Sequence, residues 1–193
     1  MMGKSKPYDA EVEWLSSYGS AYIDTEIVPK DTPRVVINLM SLNMHIDVDV
    51  FGFSSNLIPS FIGNYSTVGD KQSFGYYCYY STAGVGKDLD SSVSYNDWAE
   101  WDLGCIIKCN NVTLKALKRR SFASNTQTLY LFRSRNMANV NVKVGKVKIY
   151  DGDELKRDFI PVRVGQVGYM YDKVSGQLFG NVNTGYFILG NDI

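Results

Sequence analysis

The stretch that decides the fold reads Val147-Lys-Ile-Tyr-Asp-Gly-Asp-Glu-Leu-Lys-Arg-Asp-Phe-Ile-Pro-Val-Arg163. It continues a run over residues 140–150 in which polar and apolar side chains alternate, a period of two that is typical of a strand with one buried face. Gly145 predicts a bulge or a bend within this run. Asp151-Gly152 predicts a tight turn into the next strand. The stretch therefore predicts two long antiparallel strands joined by a short loop.

Similar runs recur along the chain and are separated by Gly, Asn, Asp and Ser turns. The clearest are residues 34–40, 45–51, 74–80 and 128–133. No segment carries apolar residues at helical spacing over the roughly eleven positions that a helix assignment needs. Only single helical turns are expected, at 55–58 and at 94–98, where Ser94 would be the cap. The pattern predicts an all-β protein in which two antiparallel sheets pack as a sandwich.

The C-terminal third predicts how the sandwich closes. Asp158 and Arg163 flank an apolar segment and are expected to form a structural ion pair across it. Pro161 lacks an N–H for a ladder hydrogen bond, which favours an edge strand or a bend. Residues 168–171 and 177–179 are expected to form a hairpin. Residues 186–189 are almost wholly apolar, which predicts a central strand.

Four segments together resemble a known family. They are the opening stretch and three others: Trp14-Leu-Ser-Ser-Tyr-Gly-Ser-Ala-Tyr-Ile-Asp-Thr-Glu-Ile27, Gly168-Tyr-Met-Tyr-Asp-Lys-Val-Ser-Gly-Gln-Leu-Phe-Gly-Asn181 and Gly185-Tyr-Phe-Ile-Leu-Gly190. They resemble the concanavalin A-like, or laminin-G-like, jelly-roll domains that recur in tailed phages, prophages and surface proteins of gut bacteria.

The resemblance implies a jelly-roll sandwich of two antiparallel sheets. It also implies that the last strand lies beside the first and pairs with the element at residues 22–25. It covers residues 12–42 and 126–190, whereas residues 43–125 depart from the family pattern. The features that distinguish this protein are therefore expected in that middle region.

Composition limits the class of protein. With 193 residues, 45% of them hydrophobic, the chain suits one sandwich domain, predicted over residues 8–193 after a flexible arm at 1–7. Twenty basic and twenty acidic side chains give a net charge of zero, which disfavours nucleic acid and an anionic membrane surface as partners. The N-terminal residues lack the apolar run of a signal peptide, and no segment is apolar enough to span a bilayer. Synthesis and retention in a cytoplasm are expected.

Metal ligands are few. Cys78, Cys105 and Cys109 make an odd set and contain no Cys-x-x-Cys pair, so reduced thiols are expected rather than disulfides or zinc. His45 is the only histidine. Calcium is the alternative left open, with Asp47 and Asp49, or Asp88 and Asp90, as oxygen ligands, although neither pair reproduces a recognised loop. The sequence predicts no metal site and no cofactor.

Catalysis is disfavoured by one missing acid. Jelly-roll β-glucanases carry a Glu-x-Asp-x-x-Glu strand whose two glutamates act as nucleophile and general acid; here Glu100 and Asp102 take the first two places and Cys105 stands in the third. A thiol cannot replace the protonated carboxyl that a retaining mechanism requires. No motif around a serine or cysteine places His45 as an activating base. We predict no catalytic residue.

Aromatic density is the stronger functional lead. In residues 74–80, Tyr77 and Tyr79 share one face of the predicted strand, and Trp98 and Trp101, three apart, would point to opposite sides of a strand or share a face in a helical turn. Such rings bind sugars by stacking and bind protein partners equally well. The predicted ligand-binding residues are Tyr77, Tyr79, Trp98 and Trp101; the alternative is that they are ordinary sheet and core residues.

Three functions follow from the sequence, in order of preference. The first is a non-enzymatic virion protein of a gut phage that decorates the capsid or tail as part of an assembly and binds other virion proteins or cell-surface glycans. The second is a carbohydrate-binding module of a bacterial surface protein. The third is a glycoside hydrolase of the same fold, weakened by Cys105.

Overall fold

The computed structural model is all-β and describes residues 6–41, 47–53, 60–68, 71–79, 85–117, 121–133 and 142–193, with the backbone alone at 47–49, 60–68, 73–79 and 85–90. No helix occurs in these ranges. The strands are β1 (Ala10–Glu11), β2 (Leu15–Gly19), β3 (Ile23–Asp24), β4 (Pro33–Ser41), β5 (Asp47–Phe53), β6 (Ser60–Val68), β7 (Lys71–Tyr79), β8 (Val85–Ser94), β9 (Ala99–Leu103), β10 (Ile106–Cys109), β11 (Val112–Ala116), β12 (Tyr130–Leu131), β13 (Val142–Asp151), β14 (Glu154–Val164), β15 (Val167–Asp172), β16 (Gln177–Phe179) and β17 (Gly185–Leu189).

The larger sheet has eleven antiparallel strands centred on β4 and β13. Its main order is β11-β10-β9-β4-β13-β14-β15-β16, while β1 pairs with β14, and β2 pairs with both β13 and β17. The predicted strands at 34–40 and 140–150 are confirmed for the described residues as β4 and β13. The predicted turn is confirmed because Gly152 and Asp153 join β13 to β14. The hairpin of β15 and β16 is also as predicted.

The smaller sheet has six strands in the order β3-β12-β5-β6-β7-β8. The predicted strands at 45–51 and 74–80 appear here as β5 and β7, with residues 45, 46 and 80 outside the described ranges. The strand predicted at 128–133 is much shorter and covers only Tyr130–Leu131. It ends because Phe132 has a φ of 64°, a left-handed conformation that stops a regular strand.

The two sheets bury their facing sides in one hydrophobic cluster. Alternate residues of β4, namely Val35, Ile37 and Leu39, are fully buried, and they share the cluster with Phe51 and Phe53 of the smaller sheet. This alternation explains why the sheets pack as a sandwich, since each must cover the apolar face of the other.

A buried hydrogen-bond network also crosses between the sheets. Trp101 of β9 and Gln72 of β7 are both fully buried. The indole Nε1 of Trp101 donates to Gln72 Oε1 at 3.3 Å, and Gln72 Nε2 donates to the carbonyl oxygens of Ser94 and Asp97 at 2.9 and 2.7 Å. These three bonds use both amide hydrogens and the amide oxygen of Gln72, whose buried side chain needs partners within the protein.

A bulge in β13 divides the larger sheet. Val144 pairs with Leu39 and Val147 with Ile37, so β13 carries one extra residue between these pairs, at the position predicted from Gly145. On the side of β13 away from β4, Val144 pairs with Leu15 of β2, while Val147 pairs with Phe159 of β14. The bulge thus separates two branches, one made of β2 and β17 and the other of β14, β15 and β16.

The two branches pack closely where Gly168 of β15 faces the first branch. A Cβ atom at this position would lie 2.6 Å from Leu189 Cδ2, 2.8 Å from Leu15 Cδ2 and 3.1 Å from Phe187 Cβ. Leu15 is fully buried and has little room to turn away. The absence of a side chain at Gly168 is what permits this contact.

The sequence favoured an edge strand or a bend at Pro161, but the strand that contains it is not at an edge. Pro161 lies in β14 between β13 and β15, and it pairs with Met170 on the β15 side. On the other side, pairing with β13 ends at Phe159 and pairing with β1 begins at Val162. The Pro161 carbonyl accepts a hydrogen bond from the Val12 N–H at 3.0 Å. The missing N–H thus falls where β14 changes neighbours and no ladder bond is required.

The predicted ion pair between Asp158 and Arg163 is wrong. Residues five apart on a strand point to opposite faces, so the two side chains cannot meet. Arg163 instead binds Asp192 through two hydrogen bonds of 2.6 and 2.7 Å, and Asp158 lies 3.0 Å from Lys173 Nζ. Hydrogen bonding to Arg163 lowers the pKa of Asp192 below its usual range. This pair ties the C-terminal segment to β14.

The last strand is also not central. Among the described residues β17 pairs with β2 alone, not with residues 22–25, because Ile23 and Asp24 form β3 in the other sheet. Its apolar residues lie on both faces of the strand. Phe187 faces the core, while Tyr186 and Ile188 are exposed on the opposite face. The pairing expected for residues 22–25 is therefore wrong, and residues 15–19 are the strand that pairs with β17.

The two predicted helical turns and the predicted arm have different outcomes. Residues 94–98 form a hydrogen-bonded turn between β8 and β9, closed by the Asp97 N–H on the Ser94 carbonyl at 3.1 Å, and not a helix. Residues 55–58 and residues 1–5 of the arm lie outside the described ranges. At the end of the arm, Lys6 Nζ lies 3.2 Å from Glu11 Oε1.

We expect Gly168→Ala to lower the free energy of unfolding by about 1–3 kcal/mol, because the new methyl group overpacks the contact between the two branches. Urea denaturation followed by circular dichroism measures this change. Gly145→Ala is the matched control, since a Cβ there would meet its nearest atoms at 3.5–3.6 Å, which is ordinary contact. Equal stability of the two variants would contradict the close packing assigned to Gly168.

We expect Gln72→Leu to destabilise the protein by about 1–3 kcal/mol, because the Trp101 indole and two turn carbonyls lose their buried partners. Urea denaturation again provides the measurement, and the near-ultraviolet circular dichroism of the tryptophans reports the local change. Gln177→Leu, on the exposed position of β16, serves as control and should change stability by no more than about 0.5 kcal/mol.

Candidate functional site

The candidate site is a groove on the outer face of the larger sheet, opposite the core. It has a volume of about 580 Å³. The residues that give it chemical character come from β4, β13, the turn before β9 and the segment between β1 and β2; they are Glu13, Trp14, Asn38, Trp98, Lys143 and Lys146. Two indole rings thus share one groove with polar and charged groups.

Trp98 is positioned by the turn that precedes β9. Gln72 holds this turn from below by donating to the carbonyls of Ser94 and Asp97. The Trp98 ring lies above Gly145, where an added Cβ would be 3.6 Å from Trp98 Cζ3. About a third of Trp98 remains exposed, at 36%. The indole therefore rests on the bulge and keeps a surface available to a ligand.

Trp14 is positioned by the segment after β17. The Gly190 N–H donates to the Trp14 carbonyl at 2.8 Å, and the Glu13 N–H donates to the Asn191 carbonyl at 2.9 Å. A Cβ on Gly190 would lie 2.9 Å from both Trp14 N and Trp14 Cδ1, so only glycine allows the two segments to approach this closely. Lys143 Nζ lies 4.3 Å from the ring centroid of Trp14, a cation–π contact.

The bulge also determines the charges of the groove. Lys143 and Lys146 are three residues apart and would point to opposite faces of a regular strand. The extra residue restores them to the same outer face, where both line the groove. Neither lysine forms a salt bridge with a carboxylate of the described residues. Their positive charges are therefore available to a bound anion.

The remaining polar groups extend the binding chemistry. Glu13 Oε2 accepts hydrogen bonds from the side-chain and backbone nitrogens of Asn191 at 3.1 and 3.3 Å. Asn38 is half-buried on the outer face of β4, and its amide can both donate and accept. Flat rings beside such groups suit a ligand that has apolar faces and polar edges, as sugars do. The arrangement supports binding.

The four predicted ligand residues are not brought together. Trp98 lines the groove, whereas Trp101 is fully buried on the opposite side of the sheet, so the two rings point to opposite sides as strand geometry requires. Trp101 has no surface to offer a ligand in this structure. Tyr77 and Tyr79 belong to β7 by their backbone, and their side chains lie outside the described atoms.

Trp14, Lys143 and Lys146 were not predicted. Trp14, Ser16 and Tyr18 occupy alternate positions and are less buried than Leu15 and Ser17, which point inward. This alternation in the N-terminal motif already indicated that Trp14 faces outward. The lysines could be grouped only by knowing where the bulge falls in β13. The contact between the N-terminal and C-terminal segments has no local sequence signal.

The residues of the incomplete glucanase motif lie near the other end of the same face. Arg34 donates to both carboxylate oxygens of Asp102 at 2.6 and 2.7 Å, and this hydrogen bonding raises the pKa of Arg34. Glu100 is exposed on β9, but β9 ends at Leu103, so Cys105 leaves the strand altogether. Asp102 is thus engaged in an ion pair, and the third motif position does not lie on the strand that carries the other two.

Metal-ligand geometry is not found in the part of the chain that the structure describes. No group of three or more His, Cys, Asp or Glu side chains converges there. The calcium candidates Asp47, Asp49, Asp88 and Asp90 have side chains outside the described atoms. In the same described ranges, no helix has the length and apolar character needed to cross a membrane.

No protein-family model matches the chain, and a search of curated proteins finds no similar sequence.

We expect Cys105 to react with iodoacetamide at least about tenfold faster than Cys109 in the folded protein. Cys105 is half-buried beside a second cavity, whereas burial raises the pKa of the Cys109 thiol, so less reactive thiolate is present at neutral pH. Mass spectrometry of tryptic peptides measures both rates, because cleavage after Lys108 separates the two cysteines. In urea the two rates should converge; equal rates without urea would contradict the assigned burial.

Proposed function

We propose that this protein is a non-enzymatic virion protein of a gut phage, a concanavalin A-like jelly-roll module on the capsid or tail that binds a cell-surface glycan or a neighbouring virion protein through the Trp14–Trp98 groove. The observation that carries the binding role is the pair of tryptophans, Trp14 and Trp98, in one outer-face groove with Asn38 and Lys143. The phage and jelly-roll assignments rest on the resemblance of the terminal motifs.

A glycan suits the groove better than a flat protein surface. The groove has a volume of about 580 Å³, and its rings lie beside side chains that donate and accept hydrogen bonds. Trp98 is held from below by the bulge and the Gln72-bound turn, so little side-chain entropy is lost when a sugar stacks on it. These features support recognition of a sugar ring in a preformed site.

The other functions compete on different grounds. A carbohydrate-binding module of a bacterial surface protein would use the same groove, and only its location distinguishes it from the virion protein. A glycoside hydrolase would need a second carboxyl group near Glu100, and the ion pair of Asp102 with Arg34 leaves that acid engaged. We therefore propose no catalytic activity and no cofactor.

We expect Trp98→Ala to weaken glycan binding by about tenfold or more, since loss of the stacked ring removes about 1.5 kcal/mol. A glycan array followed by calorimetry on the best ligand measures this loss. Val112→Ala, an exposed position on β11, is the matched control and should bind as the native protein does. Binding that is unchanged in Trp98→Ala would remove the groove as the site.

Mass spectrometry of purified phage particles tests whether the protein is part of the virion. A virion protein is expected at a fixed copy number per particle. Glycan binding without any presence in particles would favour the surface module, and reducing-sugar release from β-glucans would restore the hydrolase.

A further inference from the structure

A second aromatic feature lies on the same outer face as the groove. Tyr18 of β2 and Tyr186 of β17 are directly paired across the two strands, and each is 56% exposed. Their ring centroids lie 4.9 Å apart with an interplanar angle of 31°. Two large exposed rings held side by side by strand pairing form a platform, and the described residues place nothing over it.

The platform is continuous with the groove. Trp14 directly precedes β2 and continues the alternation of Ser16 and Tyr18, and four residues at about 3.4 Å each would separate Trp14 from Tyr18 by roughly 14 Å. Ser16 and Ile188, a pair on the same face, fill the interval, and Ile188 is 43% exposed. No charged side chain of β2 or β17 interrupts this strip. A ligand that reaches both ends must be an elongated chain.

The charge of the groove indicates what kind of chain fits. Lys143 and Lys146 line the groove, with Lys143 over the Trp14 ring, and neither forms a salt bridge to a carboxylate of the described residues. Glu11 interacts electrostatically with Lys146. Its carboxylate is already bound by the Tyr8 hydroxyl at 2.9 Å and by Lys6 at 3.2 Å. Glu13, which also lines the groove, accepts hydrogen bonds from Asn191 and keeps its negative charge. The side chains that line the groove thus carry two positive charges and one negative charge, an excess of positive charge in a protein of zero net charge.

We propose that the groove and the tyrosine platform form one extended site for an acidic polysaccharide chain. Lys143 and Lys146 bind the acidic group of one sugar unit beside Trp14 and Trp98, and Tyr18 and Tyr186 stack on a unit further along the chain. This inference rests on the proposed glycan-binding function and adds the charge and the length of the ligand. The acidic group is a carboxylate or a phosphate, and the two are separated by experiment.

The test is calorimetry of the full chain with oligogalacturonates of two and eight units and with cello-oligosaccharides of the same lengths that carry a phosphate at O6 of each sugar. Unmodified cello-oligosaccharides of the same lengths are the neutral controls. We expect the octamer to bind at least about tenfold more tightly than the dimer, because only the octamer is long enough to gain the aromatic contact with the tyrosine platform. The better of the two acidic series identifies the acidic group.

Two variants assign the two parts of the site. Tyr18→Ser with Tyr186→Ser should remove the length dependence, so that the octamer binds no more tightly than the dimer. Lys143→Met with Lys146→Met, which keeps much of the apolar stems, should weaken both acidic lengths by about tenfold and abolish the salt dependence. Lys148→Met is the matched control, because Lys148 lies on the same strand opposite Asp158 and outside the groove.

Several results would overturn the inference. If neutral chains bind as well as acidic ones and the binding needs Trp98, the proposed function stands and the acidic chain is wrong. If the tyrosine variant retains full length dependence, the platform is not part of the site. If the native protein is a dimer that Tyr186→Ser dissociates, the platform belongs to a second copy. If no glycan of any kind binds, this inference and the glycan-binding role in the proposed function both fail, and only the binding of a neighbouring virion protein is left.

Discussion

One extra residue in β13 determines how the larger sheet is built. Because the bulge at Gly145 shifts the register against β4, the far side of β13 is divided between β2 and β14. The two branches then pack on each other over Gly168, which completes the core on that side. The same residue places Lys143 and Lys146 on one face and supports Trp98. Architecture and candidate site therefore share one local irregularity, as bulges near functional sites often do.

A second dependence links the core to the surface. The buried Trp101 indole requires an acceptor, which Gln72 supplies, and the remaining amide hydrogens of Gln72 then fix the turn that carries Trp98. Trp98 and Trp101 have opposite roles although they are three residues apart. The buried ring makes the exposed ring rigid, so a change in the core at Gln72 would be felt in the groove.

Alternation of side chains predicted much of the fold. The strands β4 and β13, the turn at Gly152 and the hairpin of β15 with β16 follow from period two and from turn residues, which are local signals. The errors concern which strands lie next to each other in the sheet. An apolar β17 suggested a central strand, and Pro161 suggested an edge strand or a bend. Among the described residues β17 pairs with β2 alone, and β14 lies between β13 and β15, because pairing depends on strands far away in the sequence. Of the residues that line the groove, the sequence prediction named only Trp98. Trp14 is brought beside it by the contact with Gly190, and the two lysines are brought to the same face by the bulge.

The contact of Gly190 and Asn191 with Glu13 and Trp14 also has a consequence for the order of folding. Asn191 and Glu13 are 178 residues apart, so the groove is closed by one of the longest-range contacts in the chain. The entropy cost of closing so large a loop delays such contacts until most of the sheet has formed. On a ribosome, Trp14 would emerge well before β17 and could acquire its final position only after that strand has been synthesised. A competent binding groove is then a late product of folding, and ligand binding reports that the two ends of the domain have joined.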